Sequence, residues 1–443
     1  MTMSDKLQFV AAFIVAAINR HDKLKFVGHH NRGGTEMKTR ITSRIIVACL
    51  LAFAIATIVG IKISAWNSPG NAGHKIPPGG NRLVVHEWGT FTSIAGKDGI
   101  ALEWRPLNGP TDLPKFVHTI QKEGDGLRHP SGKAELTAAV RMETPVLYFY
   151  SDNEMDVDVK VDFPKGKITE WYPQARAVTT GINWGRLKVM PGAAANLPVE
   201  YSPSHYYPAR ETDAALVQVC STNGKPAQQE KFLFYRGVGT FDLPLSVKLD
   251  GNNVVVKNLG KDQISHLIIF ENRGGKIGYR LLEAFAGEST FERPTLDKNL
   301  ESLLQELKQM LVSSGLYEKE AAAMIKTWRD SWLEEGLRVF YILPRQTTDA
   351  VLPVTIEPRP AELVRVLAGR AEVITPEMEK SVQRQVSMLD DPSAAVRAAA
   401  IQTIRKYGRF SEPILKRVLA NERDGAIRER IKELIETTAA RAE

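Results

Sequence analysis

The hydropathy pattern divides the chain into stretches of different period. Residues 45–61 form one uncharged apolar run, Ile-Ile-Val-Ala-Cys-Leu-Leu-Ala-Phe-Ala-Ile-Ala-Thr-Ile-Val-Gly-Ile, which as a helix spans about 25 Å. From Leu83 to about Phe291 the period is two. Met155, Val157, Val159, Val161 and Phe163 alternate with Asp156, Asp158, Lys160 and Asp162, as in a strand with one packed and one wet face. Leu245–Leu249 and Val254–Val256 flank Asp250-Gly251-Asn252, the turn chemistry of a hairpin. Runs at 145–150, 214–220, 231–236 and 264–270 are rich in Val, Ile, Phe, Tyr and Leu. Many short strands without regular intervening helices predict an antiparallel β-sandwich or jelly roll.

The period then lengthens. Leu296, Leu300, Leu303, Leu304, Leu307, Met310 and Leu311 keep helical spacing until Gly315, and Tyr317, Ala321, Met324, Trp328 and Trp332 make a second stripe until Gly336. The two stripes predict a helical hairpin over 296–336. Extended segments at Leu337–Leu343 and Val351–Ile356 are expected to return to the sheet. In the last segment Asp391-Pro-Ser-Ala-Ala-Val396-Arg397 matches Glu422-Arg-Asp-Gly-Ala-Ile427-Arg428 at a spacing of 31. Ala400 and Ile431, then Ile404 and Ile435, follow at the same spacing. This tail, 376–443, resembles HEAT-like helical repeats, in which a short acidic turn precedes a helix opening with an aliphatic-Arg pair. Val364-Arg365 gives a weaker hint of a third unit. So few repeats leave apolar edges uncovered, so the tail is expected to pack on the body or on a partner.

The fold class expected is α+β: an N-terminal transmembrane or signal helix, an antiparallel sandwich-like body over 83–375 with its helical hairpin, and an α-helical HEAT-like tail. Charge sets the orientation. Lys38, Arg40 and Arg44 precede the apolar run, Lys62 closes it, and no acidic residue lies between Glu36 and Glu87. The basic side is expected to stay in the cytoplasm. Residues 37–65 therefore read as a signal anchor, or as a signal peptide cleaved after Ile63-Ser64-Ala65. The body then lies in the periplasm or outside the cell, held to the inner membrane through residues 45–61 or released in a cleaved form. Residues 66–82, rich in Pro, Gly and Asn, read as a linker. Residues 1–36 read as an upstream extension or disordered leader, because Met37-Lys-Thr-Arg resembles a natural signal start.

The net charge of +7 is concentrated at the front. Residues 1–44 carry eight Lys/Arg against Asp5, Asp22 and Glu36, which leaves +2 for everything else. That distribution argues against a nucleic-acid partner. Cys49 lies in the apolar run and Cys220 is the other cysteine, so the exported part has no internal disulfide.

The densest polar-aromatic motif is His86-Glu87-Trp88-Gly89-Thr90-Phe91-Thr92. On a strand, His86, Trp88 and Thr90 share one face while Glu87 and Phe91 share the other, so His86 and Glu87 do not jointly bind a metal. Arg141-Met142-Glu143-Thr144-Pro145 leads into a very apolar strand, with Glu143 placed as a strand-end acid or as a partner for Arg141. These two motifs, with Trp332-Leu-Glu-Glu-Gly-Leu-Arg-Val-Phe-Tyr-Ile-Leu-Pro, resemble an uncharacterised family of exported bacterial proteins. That resemblance implies export and carries no activity. Ser204-His205-Tyr206-Tyr207 lies among prolines, as a loop whose His205, Tyr206 and Tyr207 suit a glycan or protein partner, or pack locally. His118, His129, His205 and His266 show no metal-ligand spacing, and no motif calls for a metal or cofactor. The leading expectation is a membrane-tethered extracytoplasmic binding or scaffold protein of the cell envelope. The alternative is an exported hydrolase, with or without a metal, using His86 as ligand or base and Glu143 as an acid of raised pKa.

Overall fold

A computed structural model describes residues 82–107, 112–120, 136–201, 204–219 and 227–440, all within one compact unit, Pro78–Glu443. The expected leader, the apolar run 45–61 and the linker up to residue 81 lie outside the described residues, as do His129 and Cys220. No helix among the described residues is long and apolar enough to cross a membrane.

In chain order the strands begin with β1 (Val84–Ala95), β2 (His118–Thr119), β3 (Val140–Tyr150), β4 (Met155–Asp162), β5 (Gly166–Tyr172) and β6 (Ala177–Val178). They continue as β7 (Gly181–Met190), β8 (Leu216–Val219), β9 (Gln228–Glu230), β10 (Leu233–Gly239), β11 (Leu245–Asp250) and β12 (Asn253–Asn258). The last are β13 (Ile264–Arg273), β14 (Lys276–Phe285), β15 (Glu288–Glu292), β16 (Gly336–Ile342), β17 (Val354–Glu357) and β18 (Glu362–Val373). The helices are α1 (Leu300–Ser313), α2 (Glu318–Trp332), α3 (Arg345–Val351), α4 (Pro376–Val386), α5 (Ala394–Arg405), α6 (Ser411–Asn421) and α7 (Gly425–Ala440).

A nine-stranded sheet runs β14-β13-β16-β18-β1-β3-β10-β5-β2. A six-stranded sheet runs β17-β4-β7-β8-β9 with β6 beside β7, and a three-stranded sheet runs β11-β12-β15. The alternating segment forms β4, buried at Val157, Val159 and Val161, and Gly251 makes the β11–β12 turn at φ +57°. One pairing departs from the antiparallel expectation: β18 lies parallel to β1 along its whole length, Val84 opposite Glu362 and Ala95 opposite Val373. The strand returns after a connection long enough for a crossover, which a parallel pair requires. Val364-Arg365 belongs to this strand, so it is no third helical repeat. Its neighbours alternate between two covered faces, and an aliphatic-Arg pair fits that as readily as a helix start.

The nine-stranded sheet is covered on both sides. On one face Val85, Phe91, Leu147, Tyr235, Ile269 and Val339 pack with Val157 and Leu187 of the six-stranded sheet and Val247 and Val256 of the three-stranded one. On the other, Trp88, Val146, Phe234, Ile268 and Phe340 pack against Leu303, Leu307, Met324, Trp328 and Trp332 of α1 and α2. Asn299 caps α1 by accepting the Ser302 N–H at 2.8 Å, and Gly315 at φ +115° turns the chain into α2.

Helices α4–α7 have their own apolar cluster, closed by body residues Ile94, Trp104 and Ile374. Helices α5 and α7 begin at Ala394 and Gly425, 31 residues apart, at the spacing of the sequence repeat. Arg397 donates to the Asp391 carbonyl at 2.7 Å, and Arg428 to the Glu422 carbonyl at 2.7 Å. The repeated arginine thus has one task in both copies: it satisfies carbonyls of the preceding turn.

Candidate functional site

His86 and Glu143 enter different networks. Both lie on the β1–β3 pair, where His86 faces Tyr148 and Glu143 faces Thr90. Glu143 and Tyr148 are five positions apart along β3, about 16 Å at strand rise. His86 is buried, with its Nδ1 2.8 Å from Glu320 Oε2. Glu320, on the first turn of α2, also accepts the Tyr150 hydroxyl at 2.7 Å and the Tyr317 N–H at 2.7 Å. It caps its own helix while holding the ring, which packs on Tyr317 at 4.4 Å. His86 Nε2 has no hydrogen-bond partner among the described residues.

Glu143 accepts from Thr92 at 2.8 Å and lies 3.4 Å from Arg141 and 4.0 Å from Arg370. Burial pushes its carboxyl pKa up, but Arg141, Arg370 and Arg409 outweigh burial and bring it below the ordinary value. Three guanidinium groups around Glu143 thus favour the reading of a partner for Arg141 over that of an acid of raised pKa. The sheet is kinked beside it. Thr144 sits at φ +48°, rare for a β-branched residue, and the β1–β3 and β3–β10 registers both slip there. Gly89 passes so close that an added Cβ would lie 3.0 Å from Pro145 Cα.

The Thr144 hydroxyl accepts from Arg236 at 3.3 Å, and from Arg236 a chain of side chains leads to a cleft. Arg236 forks onto Asp112, 2.6 Å to Oδ1 and 3.0 Å to Oδ2. Asp112 Oδ2 lies 2.8 Å from His205 Nδ1, and His205 Nε2 lies 2.9 Å from Asp330 Oδ2. The imidazole is thus fixed between two carboxylates, with its ring 4.9 Å from that of Trp328. Burial works against the Asp112 charge, but Arg236 and His205 hold its carboxyl far below the usual range. Burial likewise lowers the His205 pKa, and its bonds to Asp112 and Asp330 more than reverse this, raising it. Carboxylates only accept hydrogen bonds, so two of them at the two ring nitrogens favour the doubly protonated, cationic form of His205.

The cleft, of about 740 Å³, lies between the start of α1, the outer side of α2 and the segment around Ser204. Lys326, Arg329 and Asp330 line it because positions i, i+3 and i+4 share a helix face, while Trp328 and Trp332 point into the core. Leu300 and Leu333 supply its apolar wall.

Tyr206 and Tyr207 do not reach it as a stacking pair. Tyr206 is wholly buried among Phe116, Tyr172, Phe232 and Phe234, and donates to Glu230 at 2.9 Å. Tyr207 is half-buried, and its hydroxyl accepts the Glu200 N–H at 2.7 Å. Arg210, paired with Glu230 at 2.6 Å, covers both rings. Of the two readings, partner contact or local packing, the geometry favours packing: the segment curls into a 3₁₀ turn at Tyr207–Arg210, with the Tyr206 ring buried and that of Tyr207 half-buried. Of the candidate residues read in the sequence, His205 lines the cleft with its neighbour Ser204, and so do Arg329 and Asp330, which stand beside the two tryptophans. Asp112 lines it too, held from behind by Arg236, and the roles of these last two depend on distant contacts. Asp330 had a local signal, its place opposite the tryptophan stripe. Among the described residues no group of three His, Cys, Asp or Glu is arranged to hold a metal ion.

No family model matches the chain, and no curated protein matches it. Among solved structures it is similar to one described as yeast delta-COP-I mu-homology domain complexed with Dsl1 WxWxV peptide, over 67% of this chain and 100% of that one. The identity is 9% and the TM-score 0.25, too slight a likeness to carry fold or function.

Proposed function

We propose that this chain is a membrane-tethered extracytoplasmic binding protein of the cell envelope, with the cleft at His205 as its ligand surface. The observation that carries this reading is the double clamp on His205. A histidine with both nitrogens bonded to carboxylates is a poor general base, but a well-fixed cation in a cleft of ligand size. The hydrolase alternative loses support for the same kind of reason: Glu143 is paired among arginines that lower its pKa, and it stands far from His86. Tethering and export rest on the sequence, on the basic residues preceding the apolar run 45–61. We also read the facing sheets as a β-sandwich and helices α4–α7 as HEAT-like, the tail being a second surface for a protein partner.

Two experiments test this. Thermal-shift measurements on the full chain with a panel of soluble glycans and peptides, beside a Leu300→Trp variant that fills the cleft, test the ligand surface. A panel member that stabilises the natural chain and not the variant supports it; stabilisation by none, or equal stabilisation of both, removes it. Protease added to spheroplasts tests the orientation: digestion of the body with the membrane intact is expected, and protection overturns it.

A further inference from the structure

We infer that the cleft binds the anionic group of its ligand, a carboxylate or phosphate, at His205 Nε2 in the place that Asp330 occupies. This rests on the reading of the cleft as the binding surface and names the chemistry it selects.

The two carboxylates on His205 are unequal. Asp112, with a side chain 21% exposed, is locked from behind by the Arg236 fork, and its carbonyl accepts from the Ser204 hydroxyl at 2.9 Å and the His205 N–H at 3.2 Å. Asp330 is 73% exposed. Besides its bonds to His205, its carboxylate accepts the adjacent Ser331 N–H, at 2.7 Å. An ion pair to so exposed a carboxylate contributes little, so a side-chain rotation frees Nε2–H at little cost. The inner pair keeps the ring oriented and charged while the outer one opens.

The surroundings suit an arriving anion. With Asp330 turned away, the Asp112 charge is matched by Arg236, and the imidazolium faces the cleft with Lys326 and Arg329. Lys326 and Arg329 are each paired with an exposed carboxylate, Lys326 with Glu211 at 2.6 Å and Arg329 with Glu301 at 3.5 Å. A ligand anion would therefore meet three donors on one side. Leu300 and Leu333 then suit an apolar portion next to the anion. Asp330 acts as an internal competitor at high effective concentration, which keeps the cation satisfied when no ligand is bound.

Isothermal titration calorimetry on the full chain tests this with two probes, inorganic phosphate and butyrate. Asp330→Asn removes the competing charge at an exposed position and is expected to bind at least one probe tenfold or more tighter than the natural chain. Adding His205→Gln to that variant should abolish the gain. Tightening of phosphate alone or butyrate alone identifies the anion class, and tightening of both supports a general anion site. No tightening of either, or a gain that survives His205→Gln, overturns the inference. If it falls while a neutral glycan or peptide from the panel still binds and is lost in Leu300→Trp, the cleft stands as a binding surface and only the anion assignment fails.

Discussion

Glu372→Gln should be among the most damaging conservative substitutions in this chain. Glu372 is wholly buried on β18, where its carboxylate accepts from Arg338 at 3.1 Å and Arg409 at 2.7 Å and also pairs with Arg370. Burial pushes its carboxyl pKa up, but the three guanidinium groups bring it down from 4.5 to about 2. At about 1.4 kcal/mol per pH unit that difference corresponds to about 3 kcal/mol. Removing one partner of a buried ion pair costs about 3–5 kcal/mol, a large share of a total stability of roughly 5–15 kcal/mol. Glu334, which bonds Arg370 at 2.9 Å but is 40% exposed, gives the internal comparison: Glu334→Gln should cost about 1 kcal/mol or less. Urea unfolding of the full chain at pH 7, followed by tryptophan fluorescence, measures both. The sign with pH follows from a lowered pKa: the Glu372 contribution is complete above 4.5 and is lost as pH falls towards 2. The natural chain should therefore lose more stability across that window than the variant does. A Glu372→Gln midpoint within error of the natural chain, or identical acid dependence, would refute the view that this network holds the sheet and tail together.

His86→Ala should lower stability by about 2–4 kcal/mol, because it opens a cavity and removes one of the three donors on buried Glu320; calorimetry checks it, and an unchanged melting temperature would reopen a chemical role for His86. Residues 376–443 expressed alone should fold poorly, since Ile94 and Trp104 of the body close the cluster around Val382, Ile404 and Ile431. Circular dichroism decides this, and a cooperative transition matching the parent's would make the tail an independent domain.

What the sequence made legible was local. Period-two alternation located β4, the Asp-Gly-Asn turn located the β11–β12 hairpin, and two leucine and tryptophan stripes located α1 and α2, because each pattern reports a face that the element buries. The repeated Val/Ile-Arg pair marked the starts of α5 and α7. The charged interior was not legible. Arg236, Arg338, Arg365 and Arg370 stand in strands covered on both faces, where a charge survives only with a partner, and those partners are distant in sequence. Arg365 meets Glu87 at 2.5 Å across the parallel pair that the strand pattern did not foretell. His205 reads as one loop histidine among several until Asp112 and Asp330 are brought to its two nitrogens. Tyr206 shows the converse: its proline-flanked loop left partner contact and local packing both open, and the 3₁₀ turn seats its ring in the core.

The central claim is that His205 is a fixed cation that binds, not a base that catalyses. Nitrogen-detected NMR of the full chain labelled at histidine, followed across pH, tests it most directly. The account predicts that at pH 7 both His205 ring nitrogens carry protons, and that the ring titrates above its ordinary 6.5. Because the pKa is raised, the clamp's stabilisation is complete below 6.5 and fades as pH rises through the folded-state value. A neutral ring with one bare nitrogen at pH 7, or a midpoint below 6.5, would contradict the account and return His205 to the candidates for general base.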